Sequence, residues 1–184
     1  MKICMITLST PEIECYAQYT RKIKQEYCVK RGYHFAELKC TIDPSRPPSW
    51  SKILLLQRHL VVPCYDWIWW LDADAVPRDI NFGVEGLVQG TDLHIVTDWS
   101  DHLELGSILI RDSLFTEKLL KDTWNETSEI NHPWWEQKAM MSVIEKQNLE
   151  YRFSQLGMRE YIVHLAGKTT KERFEFFKTY KMEG

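Results

Sequence analysis

Two aspartates follow directly on an apolar run in the stretch DWIWWLDADAVPRD, residues 66–79. The run Trp67–Leu71 is apolar enough to predict a buried strand, so Asp72 and Asp74 would emerge at the rim of a water-poor crevice. Two carboxylates one residue apart repel each other in such surroundings. The sequence therefore predicts a cation between them.

The oxygen ligands that this stretch offers indicate which cation it would bind. Carboxylates at this spacing suit Mg²⁺ or Mn²⁺, and too few other ligands lie nearby to complete a cage of protein atoms. Phosphate oxygens are expected to fill the remaining positions, which indicates a diphosphate ligand. In the alternative interpretation, Asp72 caps a turn and Asp74 is a solvated surface acid. The apolar strand and the small Ala73 and Ala75 favour the metal.

Further polar residues lie near the ends of predicted strands and helices. Thr7 and Ser9 lie at the carboxyl end of the first predicted strand and are candidates to contact a base and ribose, with Tyr16 available to stack on the base. Lys52 is a candidate to face the nucleotide, and Lys168, which follows a glycine, is a candidate phosphate clamp. Alternatively, Thr7 and Ser9 are ordinary turn and cap residues, the stem of Lys52 covers apolar helix surface, and Lys168 is an ordinary surface lysine.

The stretch NHPWWEQKAM, residues 131–140, predicts the start of a helix. Pro133 suits a first helical turn, so Glu136 and Gln137 would lie near the helix N-terminus beside two tryptophans. Either these two side chains act on a substrate or they only cap the helix. Asp98, at the end of LHIVTD, is a further catalytic candidate that would hold a hydroxyl of the donor or acceptor.

Strands and helices alternate along most of the chain. Apolar runs predict strands at KICMITLS, YHFAELK, WIWWL, LHIVTD, GSILIRD and YIVHL, and helical periodicity predicts helices over 12–31, 50–60, 113–124, 134–147 and near the C-terminus. Gly32 is expected to end the first helix, Ser49 to cap the second, and Pro77 to lie in a turn. The alternation predicts one α/β domain with a mostly parallel central sheet flanked by helices. Ligands bind such sheets at the carboxyl ends of the strands, where the two aspartates are predicted to lie.

The composition excludes several classes of protein. The 184 residues suit one domain, the net charge is −3, and lysine and arginine are dispersed among acids, so the basic stripe of a nucleic-acid binder is absent. Five cysteines without a CxxC pair indicate free thiols. No apolar run approaches the roughly 20 residues that span a bilayer. The sequence predicts a soluble chain in the cytoplasm, in a host's cytoplasm if the chain is viral, or in the Golgi lumen if a membrane anchor was removed.

Several motifs of one known family occur here in order. Trp50-Ser51-Lys52 precedes WIWWLDADA, and TDWSDHLELGSILIRDS, WWEQKAM and VHLAGK follow. Together they resemble the signature of family 34 glycosyltransferases, which comprises fungal α-galactosyl- and mannosyltransferases and plant xyloglucan xylosyltransferases. The resemblance covers residues 3–168, and WWLDADA is its most specific part.

The resemblance implies a GT-A fold, a Rossmann-like α/β architecture in one domain. A nucleotide-binding part would occupy residues 1–80, a sugar and acceptor part residues 81–168, and a C-terminal helix residues 169–184. It also implies an enzyme that depends on Mn²⁺ or Mg²⁺ and moves a hexose or pentose from a nucleotide sugar, in particular a UDP-sugar, to a carbohydrate acceptor. The anomeric configuration would be retained.

The resemblance also implies roles for individual residues. His164 would be the third protein ligand of the metal, with Asp74 coordinating it directly and Asp72 sharing the ion or holding the ribose. Gln137 would lie against the β-face of the donor sugar. Because an amide is a poor nucleophile, we expect front-face substitution, in which the departing phosphate takes the acceptor's proton. Glu136 is the alternative nucleophile, or a ligand of a sugar hydroxyl.

The sequence departs from the family at one position, and it also allows two other functions. Members usually carry Asn two residues before the strand that the glycine begins, or adjacent to it, where the Asn contacts the donor sugar. Here Glu104 and Leu105 precede Gly106. A Mg²⁺-dependent phosphohydrolase of the haloacid-dehalogenase kind also uses DxD after a strand, but normally after the first strand. A non-catalytic module that binds a sugar or a nucleotide sugar would use the aromatic residues, which make up 12% of the chain.

Overall fold

The computed structural model describes residues 1–88, 90–97, 103–149, 154–156 and 161–184, and for residues 154–156 it describes the backbone alone. These residues form eight strands and five α-helices. The strands are β1 (Ile3–Leu8), β2 (His34–Leu38), β3 (Trp67–Leu71), β4 (Ala75–Pro77), β5 (Leu93–Thr97), β6 (Leu103–Ile110), β7 (Ser154–Leu156) and β8 (Ile162–His164). The helices are α1 (Glu14–Arg31), α2 (Ser51–Leu60), α3 (Leu114–Asn125), α4 (Trp135–Gln147) and α5 (Thr170–Thr179).

Six strands form one central sheet in the order β2-β1-β3-β6-β5-β7. β1 pairs in parallel with β2 and β3, and β5 pairs in parallel with β7, whereas β6 is antiparallel to both of its neighbours. Five strands therefore run in one direction and β6 runs in the other. The predicted α/β architecture is confirmed, and the sheet is mixed because β6 returns between β3 and β5.

Helices cover both faces of the sheet, and the alternation along β3 explains why its apolar run is continuous. Ile68 and Trp70 lie in the core that includes apolar residues of α2, α3 and α4. Trp67, Trp69 and Leu71 lie in the opposite core, with residues of α1. Each such side chain contributes about 1.5–3 kcal/mol when it is fully buried. Because both faces are covered, the edge formed by the strand ends is where a ligand can approach.

A second, two-stranded sheet pairs β4 with β8 in antiparallel fashion. The prediction that Pro77 lies in a turn is wrong, because Pro77 ends β4 and pairs with Ile162. A strand of three residues that pairs with a distant segment leaves no local periodicity to recognise. Proline is tolerated there because a two-stranded ribbon has a free edge for the residue without an N–H.

The helix boundaries agree with the predictions to within a few residues, with one correction. Gly32 ends α1 as predicted, with φ of 70°. Ser49 does not cap α2: a 3-10 turn over Pro48–Trp50 precedes that helix, and the buried Ser49 hydroxyl has no hydrogen-bond partner among the described residues. The rigid prolines before Ser49 favour this tighter entry over a standard cap.

All five cysteines are unpaired, and Cys4 and Cys28 are buried in the core. Within the described ranges, none of the helices combines the length and the apolar character needed to cross a bilayer.

Candidate active site

The turn after β3 carries the two aspartates at the carboxyl end of the central strand. The indole Nε1 of Trp70 donates a hydrogen bond of 2.6 Å to Asp72 Oδ1. The amide of Asp72 donates to the carbonyl of Gly106 on β6 at 2.9 Å, and the amide of Ala75 donates to the carbonyl of Asp72 at 3.0 Å. Asp74 is 7% exposed. Both residues are therefore held in a tight turn between β3 and β4.

The pairing of β4 with β8 brings His164 to these aspartates from about ninety residues further along the chain. Ala75 and His164 are partners in the ladder. His164 Nε2 lies 3.3 Å from Asp74 Oδ1 and 3.8 Å from Asp72 Oδ2. One ligand atom from each of the three side chains lies within 4.8 Å of the other two. The structure thus brings together the three predicted metal ligands.

The three side chains form a donor set that fits a divalent metal. Carboxylate oxygens suit Mg²⁺ and Mn²⁺, while an imidazole nitrogen suits transition metals, so the combination favours Mn²⁺. Three protein ligands leave positions for oxygens of a bound substrate. Across the described ranges, this is the one group of three or more side chains with such ligand atoms close together.

His164 is held from its other side by Glu104, a residue that the sequence marks only as a departure from the family. Nδ1 of His164 lies 3.0 Å from Glu104 Oε1, a contact that fixes the orientation of the ring. The imidazole lies against Gly106, where a Cβ atom would overlap it. Glycine at this position therefore makes room for the histidine.

The charges in this cluster alter each other's protonation. Burial alone would raise the pKa of Asp74, but the hydrogen bond and charge of His164, together with the charge of Arg173, lower that pKa to about 2. Burial alone would lower the pKa of His164, but hydrogen bonds to Asp74 and Glu104 raise it to about 10. These neighbours therefore favour the protonated form of His164.

A β-bulge in β6 connects the cluster to α4. The register with β5 shifts between Ile95 and Val96, whose partners are Ile108 and Glu104. The backbone of Leu105, inside this bulge, bonds to side chains instead: its amide donates to Gln137 Oε1 at 3.2 Å, and its carbonyl accepts from Lys52 Nζ at 2.9 Å. Bulges that redirect the chain are frequent beside active sites.

Lys52 joins the aspartate turn to the start of α4. Its Nζ lies 2.9 Å from Asp72 Oδ1 and 2.8 Å from Glu136 Oε1, and the residue is 4% exposed. Burial alone would lower the pKa of Lys52, but the charges of Asp72 and Glu136 raise it. Glu136 Oε2 is buried and has no hydrogen-bond partner among the described residues.

Arg173 was not predicted, yet it contacts the same aspartate as His164. Its Nε lies 2.8 Å from Asp74 Oδ2 in an ion pair, and its guanidinium carbon lies 5.7 Å from the ring centre of Tyr16. A sequence signal for this position exists. Thr169 and Glu172 form a capping box, which fixes the start of α5 just after VHLAGK and so keeps Arg173 close to His164.

The remaining predicted residues lie in varied surroundings. Tyr16 is 3% exposed, so its ring is covered, and burial raises its pKa. The hydroxyl of Thr7 donates to the carbonyl of Leu71, and that of Ser9 donates to Glu37 at 2.7 Å. Lys168 is exposed and lies 3.7 Å from Glu172 in a surface ion pair. Asp98 lies outside the described residues.

Residues 1–93 match the sequence model of the galactosyl transferase GMA12/MNN10 family. An alpha-1,2-galactosyltransferase of Schizosaccharomyces pombe is 33% identical over 103 residues, which cover 53% of this chain and 24% of that protein. A probable glycosyltransferase 2 of Oryza sativa subsp. indica is 34% identical over 68 residues, covering 36% of this chain and 14% of that protein. The matched region spans a quarter or less of the length of these relatives.

Solved structures resemble the chain over nearly its whole length. A glycosyltransferase involved in the glycosylation of the major capsid of PBCV-1 superimposes with a TM-score of 0.78 and 18% identity, covering 98% of this chain and all of that one. Galactosyltransferase LgtC, in complex with donor and acceptor sugar analogs, gives a TM-score of 0.60 at 11% identity, covering 98% and 97% of the two chains. These likenesses confirm the predicted GT-A fold.

Proposed function

The chain belongs to the galactosyl transferase GMA12/MNN10 family, and on this premise we propose that it is a metal-dependent glycosyltransferase. It would move a hexose or pentose from a nucleotide sugar, in particular a UDP-sugar, to a carbohydrate acceptor, with retention of configuration. Residues 1–80 would supply most of the nucleotide contacts, residues 81–168 the sugar and acceptor contacts, and residues 169–184 a helix that packs beside them.

The observation that carries this proposal is the convergence of Asp72, Asp74 and His164 within 4.8 Å at the carboxyl end of β3. A GT-A sheet places ligands at that edge. The donor set suits a divalent metal that is also bound to phosphate oxygens. The same arrangement is difficult to explain as a structural feature, because it concentrates charge in a buried turn.

A bound Mn²⁺ or Mg²⁺ would stabilise the negative charge that develops on the departing diphosphate. Asp72 and Asp74 would hold the metal through carboxylate oxygens, and Asp72 could share its contacts with the ribose. His164 would ligate through Nε2 and must first release the proton that its neighbours stabilise, while Nδ1 stays bonded to Glu104. Arg173, which contacts Asp74, would lie beside the diphosphate.

The residues of α4 would act on the sugar. Gln137 would face the β-side of the donor sugar. Glu136 would bind a sugar hydroxyl through Oε2, which has no hydrogen-bond partner in the described part of the chain, since Lys52 already neutralises the other oxygen. In front-face substitution, the bond between the anomeric carbon and the β-phosphate oxygen breaks, and the acceptor oxygen bonds to that carbon. The acceptor's proton passes to the departing phosphate. Preorganised charge of this kind stabilises the transition state more than the ground state.

Other predicted contacts to the donor stay predictions. Thr7 and Ser9 would approach the base and ribose only through their backbone or after a change of partner, because their hydroxyls are engaged. Tyr16 would stack on the base only if Arg173 moved. Lys168 would clamp a phosphate, and Asp98 would hold a sugar hydroxyl.

A panel of UDP- and GDP-sugars with Mn²⁺ tests the proposed function. The correct donor at 100 times its Kd should stabilise the fold by about 2.7 kcal/mol, which raises Tm by about 5–10 °C. The same donor should be hydrolysed slowly without an acceptor. Differential scanning fluorimetry and chromatographic detection of the free nucleotide measure the two effects.

Chelation with EDTA supplies the control for this panel, since it should remove both effects together. If no nucleotide sugar in the panel raises the Tm, the proposal is contradicted. Glycan binding that persists in EDTA, without donor turnover, would instead support the non-catalytic binding module.

The acceptor would bind beside Trp134 and Trp135, which directly precede Glu136 and Gln137. These two tryptophans are 53% and 44% exposed, whereas Trp50, Trp67, Trp69 and Trp70 are buried. Trp135 also has φ of 40°, which is unusual for a bulky residue. Exposed aromatic faces that flank a polar site suit the C–H faces of a sugar ring.

Trp135→Ala is expected to raise the KM for the acceptor about fivefold, because stacking of this kind contributes about 1 kcal/mol. The rate of donor hydrolysis should stay within a factor of about two, since the donor contacts are untouched. Initial rates with a panel of free mono- and disaccharides measure the effect. Trp135→Phe keeps an aromatic face and serves as the matched control. Equal effects on hydrolysis and transfer would argue against an acceptor role.

A further inference from the structure

Three consecutive carbonyl groups of the aspartate turn each accept a hydrogen bond from a buried side chain. The hydroxyl of Thr7 donates to Leu71 O, the ammonium of Lys24 donates to Asp72 O, and the hydroxyl of Thr20 donates to Ala73 O, all at 2.7 Å. Lys24 Nζ also donates to the hydroxyl of Thr7 at 3.0 Å. Each backbone carbonyl from Leu71 to Ala73 is therefore held by a buried hydrogen-bond donor.

Two of these donors belong to α1 and face the turn together. Thr20 and Lys24 are four residues apart, which places them on one side of a helix. Both are 1% exposed. The turn that they hold carries Asp72 and Asp74, and neither donor touches a carboxylate oxygen in the hydrogen bonds of the described residues. α1 thus contacts the candidate metal ligands through the backbone.

Burying the ammonium of Lys24 costs desolvation free energy that a purely structural role does not explain. Removing an ammonium from water costs several kcal/mol, and an apolar side chain of similar volume often stabilises a fold equally well. Lys24 is among the largest fully buried side chains of the protein. Its charge interacts with the two carboxylates that would repel each other, and two of its three donors bond to Thr7 Oγ1 and Asp72 O.

We propose that Lys24 and Thr20 form a clamp that positions the Asp72–Asp74 turn for metal binding. This inference rests on the proposed function, since it assigns α1 to the preparation of the same site. The clamp holds the two carboxylates in the geometry that the cation needs before the cation arrives. It acts through the backbone of the ligands, so Lys24 and Thr20 are positioning residues and not catalytic ones.

The alternative is that these bonds only dock α1 on the sheet, and the two explanations predict different results for metal affinity. A docking bond of comparable type exists elsewhere on the same helix. The hydroxyl of Tyr27 donates to Phe82 O at 2.7 Å, and Tyr27 is fully buried. Tyr27→Phe removes that bond without reaching the aspartate turn, which makes it the matched control.

The test measures the Kd of Mn²⁺ without any nucleotide, by isothermal titration and by the electron paramagnetic resonance of free Mn²⁺. Lys24→Met should weaken Mn²⁺ binding by about tenfold, as substitutions of groups that orient metal ligands do. Tyr27→Phe should leave the Kd within a factor of about two of wild type. Thermal unfolding of each variant reports its stability separately.

A second pair of variants keeps the inference testable if Lys24→Met does not fold. Thr20→Val has the same shape without the donor, and Thr20→Ser restores the hydroxyl. Mn²⁺ affinity should fall with valine and return with serine. If wild type binds Mn²⁺ and all clamp variants bind it equally well, the clamp is overturned and the proposed function stays intact. If wild type binds no Mn²⁺ either alone or in the presence of UDP, both the clamp and the proposed function are overturned.

Discussion

Asp74→Asn should lower sugar transfer at least about 100-fold, because substitutions that only orient metal ligands already cost about 10–100-fold. The amide cannot carry the charge that the metal requires, and it leaves His164 and Arg173 without their shared counter-charge. Mn²⁺ should therefore raise the Tm of wild type but not that of the variant. Initial rates at saturating donor and thermal unfolding with and without Mn²⁺ measure both effects.

Asp66→Asn is the matched control for this change. Asp66 precedes β3 at its opposite end and bonds to the amide of Lys2, so the same substitution there leaves the candidate site unchanged. Its transfer rate should equal that of wild type. Undiminished transfer by Asp74→Asn would remove the basis for a metal at this turn.

Gly106→Ala is the second change with a large expected effect. The new methyl group would overlap the imidazole of His164 and push it away from Asp74. Overpacking of this kind costs about 1–3 kcal/mol, which lowers Tm by about 3–10 °C. The Kd of Mn²⁺ should rise at least about tenfold, since a ligand is displaced. Differential scanning fluorimetry and Mn²⁺ titration provide the two measurements.

Two further variants isolate the cause. Gly86→Ala places a methyl group where no atom lies within 4 Å and φ is not positive, so its Tm should match or slightly exceed that of wild type. His164→Ala removes the imidazole, so adding Gly106→Ala to that variant should lower Tm much less than adding it to wild type. An equal loss of Tm in both backgrounds would show that another contact is responsible.

Local patterns account for most of the elements. The apolar run at Trp67–Leu71 and the helical spacing over residues 12–31 depend on near neighbours, so the sequence reveals β3 and α1 to within two residues. β4 and β7 were not predicted, because each has three residues and exists only through pairing with a distant strand. The reversal of β6 likewise depends on which strands become neighbours.

In the candidate site, too, local sequence reveals some residues and only tertiary structure brings in the others. Asp72 and Asp74 are recognisable because they lie one residue apart directly after their strand, and the family resemblance supplied His164. Lys24 could not be distinguished from an exposed lysine, since it lies in the charged stretch KIKQEYCVK of α1. Glu104 acquires its contact with His164 only through tertiary structure.

Side chains that are distant in the sequence also cover Tyr16 and Thr7 in the structure. Thr7 lies at the end of β1 and Tyr16 lies in α1, which follows it, where a nucleotide would approach. Neighbouring side chains cover both residues in the structure. Arg173 lies over the ring of Tyr16, and Lys24 bonds to the hydroxyl of Thr7. Neither neighbour is close in sequence to the residue that it covers.

The ladder between β4 and β8 has a consequence for how the molecule is made. Residues about ninety positions apart must meet before His164 reaches the turn, and contacts of such long range form slowly. A nascent chain that has emerged only through α4 carries both aspartates but neither His164 nor Arg173. The mutual repulsion of the carboxylates would then be relieved mainly by lysines, so this edge of the sheet should become fully compact only after the segment that carries β8 and Arg173 has been synthesised.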